Sequence, residues 1–176
     1  MRTVSKTVRT RFTRADYERL PEGFPAQLVE GTLVRDPAPT YGHQRLVATI
    51  YRRLGAILGW KRVVIAPIDV GVDEYNVYQP DVVVVRREPS RDVHDVGVPL
   101  VAVEVTSSST ARRDRGVKRR RLLAAGAEEV WVVDPAAGSV ERYDADGCAV
   151  ATGTDVLRSR AVVGFEVVPA RLFADA

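Results

Sequence analysis

Apolar residues along this chain fall into two rhythms. Between residues 41 and 58, Leu46, Ile50, Leu54 and Ile57 recur at three- and four-residue spacing, which predicts an amphipathic helix with Gly59 as its cap. Elsewhere the apolar runs are continuous and rich in valine: RVVIAPIDVGV (62–72), NVYQPDVVVVR (76–86), LVAVEVT (100–106) and EEVWVVD (128–134). Runs without a polar face predict strands covered on both sides. TRADYERL (13–20) carries a Thr-x-x-Asp start and precedes Pro21, so a short helix is expected there. QLVEGTLVRD (27–36) reads as a strand or hairpin bending at Gly31. A helix over about 110–125 is stopped by Gly126, SVERYD and CAVAT form a hairpin, and VVGFEVVPARLFADA closes with a strand and an amphipathic turn. From residue 41 to 134 the order is α-β-β-β-α-β. That is a mixed sheet flanked by helices, of the α/β or α+β class.

The 176 residues suit one domain, expected over 14–176, with enough apolar content to bury a core. No apolar run approaches the ~18 residues of a membrane span. MRTVSKTVRTRFTR has five basic residues, no acidic one and no apolar middle. Residues 1–13 are therefore read as a flexible basic arm rather than a secretion signal. Cys148 is the single cysteine, so no intrachain disulfide forms. This fits a reducing compartment, and a cytoplasmic protein is expected. Net charge is only +3. Its distribution matters more: RRDRGVKRRR (112–121) places seven cations and one carboxylate in ten positions. Such a run invites an anionic partner, nucleic acid first. Its plain alternative is a solvated helix face.

The polar exceptions within the apolar runs are the candidate chemistry. In LVAVEVT, alternation puts Ala102, Glu104 and Thr106 on one face and Val101, Val103 and Val105 on the other. An ionised carboxylate among valines is costly unless it is compensated, and the plain compensation is an arginine. Asp81 opens the preceding run in QPDVVVV, and sequential strands often pair. Two carboxylates brought together repel unless one is protonated or a cation joins them. A hard divalent metal with oxygen ligands resolves that cost. Lys118 is the third element. The chain has only three lysines, Lys6, Lys61 and Lys118, so its presence inside an arginine run hints that a compact point charge is wanted there. The plain alternative is a surface pair with Asp114, one helical turn earlier.

Together these segments resemble the Uma family within the restriction-endonuclease-like PD-(D/E)XK superfamily. The resemblance runs from about residue 14 to the C-terminus. It rests on LVEGTLV, PAPTYGHQ, VYQPDVVVV, LVAVEVTSSST, the D-x-x-x-K of DRGVK, AGAEEVWVVDP and VVGFEV in that order. It implies a restriction-endonuclease-like core and a bacterial endonuclease dependent on Mg²⁺ or Mn²⁺. Asp81, Glu104 and Lys118 become its catalytic residues. Asp81, Glu104 and the backbone carbonyl of Val105 become its metal ligands. Lys118 then comes from the helix after the glutamate's strand, where the wider superfamily places a lysine two residues on, at Thr106 here. Glu30, Gln27 and His43 match accessory positions, Gln27 standing where the family usually has Glu. Leu122 stands where Tyr is frequent, and Val130–Trp131 where Tyr-Trp is common. Read alone, His43 is either a phosphate contact or a loop-ordering residue. A homodimer is implied too, since related folds pair two sites to cut two strands.

The expected function is metal-dependent hydrolysis of nucleic acid, DNA first. Arg112, Arg113, Arg115, Arg119 and Arg120 would hold the phosphate backbone without reading bases. Its rivals are a non-catalytic nucleic-acid-binding module on the same fold and a hydrolase of another substrate, since a fold does not fix a substrate.

Overall fold

The computed structural model describes residues 11–107 and 114–176. After the short helix α1 (Arg14–Tyr17), β1 (Gln27–Val29) and β2 (Thr32–Val34) make a hairpin. Glu30 and Gly31 both have positive φ at its turn, a conformation in which glycine is unstrained. Helix α2 (Tyr41–Leu58) follows, capped by the Thr40 hydroxyl and ended by Gly59 at φ 80°. Then come β3 (Val63–Ile65), β4 (Val70–Asp73), β5 (Asn76–Tyr78), β6 (Val82–Val84) and β7 (Val101–Val105). A π-helical turn, Asp114–Lys118, runs into α3 (Arg119–Ala124). The chain closes with β8 (Glu129–Asp134), β9 (Ser139–Asp144), β10 (Gly147–Thr152), β11 (Leu157–Arg158), β12 (Glu166–Val167) and α4 (Pro169–Ala174).

Six strands form the central sheet in the order β10-β9-β8-β7-β6-β3, and a smaller sheet runs β2-β1-β5-β4. Only β7 and β8 pair in parallel within the central sheet. A parallel pair needs a crossover, here the segment carrying α3. The two faces of β7 bury differently. Val101, Val103 and Val105 pack with Leu46, Ile50 and Leu54 of α2, while Ala102 packs with Leu122 of α3, Val83 and Tyr78. Of the four α2 residues at helical spacing, Ile57 is the exception and stays exposed.

Two expected strands each prove to be two. Residues 62–72 divide into β3 and β4, and residues 76–86 into β5 and β6, with the halves in different sheets. Pro67 and Pro80 stand between the halves, and a proline cannot donate to a ladder. The expected arm also begins to attach earlier than residue 14. Phe12 donates its N–H to the Gly31 carbonyl at 2.8 Å, and the Arg11 guanidinium lies over the Tyr75 ring. Residues 1–10 lie outside the described residues.

Candidate active site

Asp81 immediately precedes β6, whose register against β7 sets Val82 opposite Val103. One further step along the antiparallel ladder brings Asp81 level with Glu104. The Asp81 carboxylate is fixed by the neighbouring strand: its Oδ2 accepts the Val105 N–H at 2.7 Å. From the other layer, His43 in the first turn of α2 reaches the same end of β7. Its Nε2 lies 3.0 Å from the Val105 carbonyl oxygen and 3.4 Å from Asp81 Oδ1. His43 owes this position to the Thr40 cap, which accepts the His43 backbone N–H at 3.2 Å.

Glu104 is only 4% exposed and Lys118 only 1%. They meet as an ion pair with 2.5 Å between Nζ and Oε1. Lys118 closes the π-helical turn, and its ammonium also sits 5.9 Å from the Tyr78 ring centroid. The plain expectation of a surface lysine one turn from Asp114 is therefore overturned. The lysine points into the fold and compensates the glutamate that interrupts the valine run. Such a pair is held by mutual charge in a poorly solvated place, where removal of either partner is costly.

These groups line one cavity of about 340 Å³, with Asp81, Glu104, Val105 and Lys118 on one wall and Gln27, Asp36 and His43 on others. Gln27 ties two strand ends together: its amide donates to Asp36 Oδ2 at 2.8 Å and accepts the Gln79 N–H at 2.9 Å. Asp36, at the end of the first hairpin, drew no notice in the sequence because nothing in its surroundings there is unusual. Glu30 is elsewhere. It occupies the hairpin turn and pairs with Arg121 at 3.3 Å, outside the cavity lining.

The arginine run divides. Arg112 and Arg113 lie outside the described residues. Arg115 belongs to the π-helical turn, and Arg120 is exposed. Arg119 departs from the expected solvated face, since it is partly buried with its guanidinium 4.2 Å above the Tyr143 ring. A cation stacked on an aromatic ring is held to the fold rather than presented to a partner.

Among the described residues no group of three or more His, Cys, Asp or Glu side chains stands at metal-holding distance. Asp81, Glu104 and Val105 line the cavity together with Asp36 and Gln27, so the donors around it are carboxylate, amide and carbonyl oxygens. Few protein oxygens, all hard, suit Mg²⁺, which binds through one or two carboxylates and keeps several waters. Cys148 is exposed on β10 and takes no part.

A mixed central sheet with one parallel pair, flanked by helices, defines the α+β class of this fold. A crystal structure of a "putative nuclease belonging to DUF820" from Anabaena variabilis shares this fold at a TM-score of 0.80. The two are 16% identical, and the likeness covers 93% of this chain and 98% of that one. Residues 14–171 match the family model Uma2, described as "Putative restriction endonuclease". The chain belongs to this family. No functionally curated protein matches it. Among the described residues, no helix is long and apolar enough to cross a membrane.

Proposed function

We propose that this chain is a Mg²⁺-dependent endonuclease that hydrolyses phosphodiester bonds in DNA. The observation that carries the reading is the shared cavity of Asp81, Glu104 and the buried Lys118. Asp81, Glu104 and the Val105 carbonyl would hold the cation. When bound, it would supply a polarised phosphoryl oxygen and a water acidic enough to attack.

The chain's own residues do the rest. The Val105 N–H orients the Asp81 carboxylate, so the acid does not have to be ordered on binding. Lys118 balances the charge of Glu104 and puts a positive charge at the floor of the cavity. There it stabilises the negative charge that develops on the phosphate oxygens, more strongly than it would in bulk water. His43 braces the Val105 carbonyl from α2 and is a positioning residue in this scheme. Exposed Arg120, with Arg112, Arg113 and Arg115, provides contacts to the phosphate backbone that carry no sequence information. A second copy would supply the second cut.

The test is a substrate panel of double-stranded DNA, single-stranded DNA and RNA, each incubated with Mg²⁺, Mn²⁺ or chelator. DNA should be cut with either metal and stay intact with chelator, and binding should weaken steeply with added salt. Salt-sensitive binding without cleavage of any substrate would instead make the chain a nucleic-acid-binding module. Gln27 favours that rival, because it places an amide rather than a carboxylate in the cavity.

A further inference from the structure

A second cavity, of about 790 Å³, opens beside the candidate active site and shares Asp36, Pro37, Pro39 and His43 with it. Its character differs. Ala38, Leu46, Pro135 and Phe173 give it apolar walls, and Thr106 and Asp134 supply polar groups at the strand ends. Its place follows from the topology. β7 and β8 are parallel neighbours, so Thr106 and Asp134 emerge at the same end of the sheet. Asp134 is held by the hairpin turn that follows it, its Oδ1 accepting the N–H groups of Ala136 at 2.9 Å and Ala137 at 3.0 Å.

We infer that this cavity receives the nucleobase adjoining the scissile phosphate, an inference that rests on the nuclease reading above. Three observations lead there. The cavity joins the Lys118 cavity along a shared wall of Asp36, Pro37, Pro39 and His43. Its proline, leucine and phenylalanine walls suit a flat, weakly polar ring rather than a charged group. Asp134, which lines this cavity and not the Lys118 cavity, offers a carboxylate that can accept a hydrogen bond from an exocyclic amino group, as carboxylates do from cytosine. The phosphate is thereby directed to Lys118 and the base to Phe173. This makes Asp134, Ala136 and Phe173 specificity-determining positions.

Binding of three probes to the full chain in Mg²⁺ buffer, followed by calorimetry or ligand-observed NMR, tests this. The probes are deoxycytidine 5′-monophosphate, 2-deoxyribose 5-phosphate and deoxycytidine. The nucleotide should bind on the order of tenfold tighter than the sugar phosphate, as expected when an apolar and aromatic surface takes up a base. Ala136→Trp fills the cavity from an exposed turn and should bring the nucleotide down to the sugar phosphate's affinity. Phe173→Ala, with its melting checked, should narrow the gap in the same direction. Equal binding of nucleotide and sugar phosphate, or a gap untouched by Ala136→Trp, would overturn the base site and leave the phosphate site standing. Binding of deoxycytidine that Ala136→Trp removes, with no binding of the sugar phosphate, would support the base site and overturn the phosphate reading. Binding by none of the three would overturn both.

Discussion

Glu104 and Glu129 occupy neighbouring strands, and both are nearly inaccessible to solvent, yet their surroundings differ. Glu129 is saturated by protein donors. Trp131 Nε1 and the Ser159 hydroxyl donate to one oxygen, and the backbone N–H groups of Arg160 and Ala161 to the other. It faces no part of the Lys118 cavity. Glu104 has the buried lysine and the cavity. Glu129→Ala should therefore cost stability by about 3 kcal/mol or more, through donors left unpaired. For Glu104→Gln and Lys118→Met, each single change should cost about 3–5 kcal/mol, and the double variant clearly less than their sum. Denaturant unfolding of the four variants checks this, and strictly additive losses would mean the pair is not coupled. In the sequence, the carboxylate of LVAVEVT stood out, and so did a lysine in an arginine-rich chain. The family resemblance turns that lysine inward, whereas i, i+4 spacing alone pairs it with Asp114, because such spacing assumes an α-helix and residues 114–118 form a π-helical turn.

Tyrosines set a second expectation at this scale. Burial, reinforced by the Asp69 carboxylate, pushes the Tyr17 hydroxyl above the usual tyrosine range. Burial, followed by Asp73, does the same for Tyr78. In the unfolded chain both ionise near pH 10. Above that pH the folded form retains protons that the unfolded form has released, so stability falls as pH rises. Unfolding free energy should be flat with respect to these groups below about pH 10 and decline beyond it. Tyr78→Phe should make the alkaline decline shallower. An unchanged slope would show that Tyr78 contributes nothing to it.

At the scale of elements, the prolines are the lesson. Strands β3 to β6 are each three or four residues long, separated by Ala66–Asp69 and by Gln79–Asp81. The polar residues there, Asp69, Gln79 and Asp81, do not mark a break by themselves, because a polar residue such as Glu104 also stands inside a continuous strand. Pro67 and Pro80 carried the information, through the ladder bonds they cannot make. The packing of α1 and the loop before β7 on β4 has its own requirement at Gly71. A Cβ there would collide with Asp95 Oδ2 and come within 2.5 Å of Arg14 Nη1. These two residues form the 2.7 Å ion pair that ties α1 to the loop before β7. Gly71→Ala should displace that pair and, because both groups end flexible side chains, cost about 1 kcal/mol. The candidate site itself should be spared. Thermal melting measures the loss, and an unshifted transition would refute the steric account.

For the whole molecule, element order and the family were legible because long helical spacing and the sequence of short motifs survive without any contact information. The meeting of Asp81, Glu104 and Lys118 depended on register and on a crossover, which spacing along the chain implies only through the fold. His43 and Gln27 were visible as positions and acquired partners only in three dimensions, while Asp36 and the apolar cavity behind it left no mark at all. Glu30 shows the converse, a residue at a family position that faces Arg121 instead. What ties these scales together is the claim that two acids and a lysine at the end of β7 cut DNA with a divalent metal. The most direct measurement compares the initial rate of DNA cleavage in Mg²⁺ by the unaltered chain and by Asp81→Ala, with both shown to be folded by their melting curves. Asp81→Ala should lose at least about a hundredfold in rate, the scale at which single groups assisting a transition state act. Equal rates for the two proteins would contradict the account.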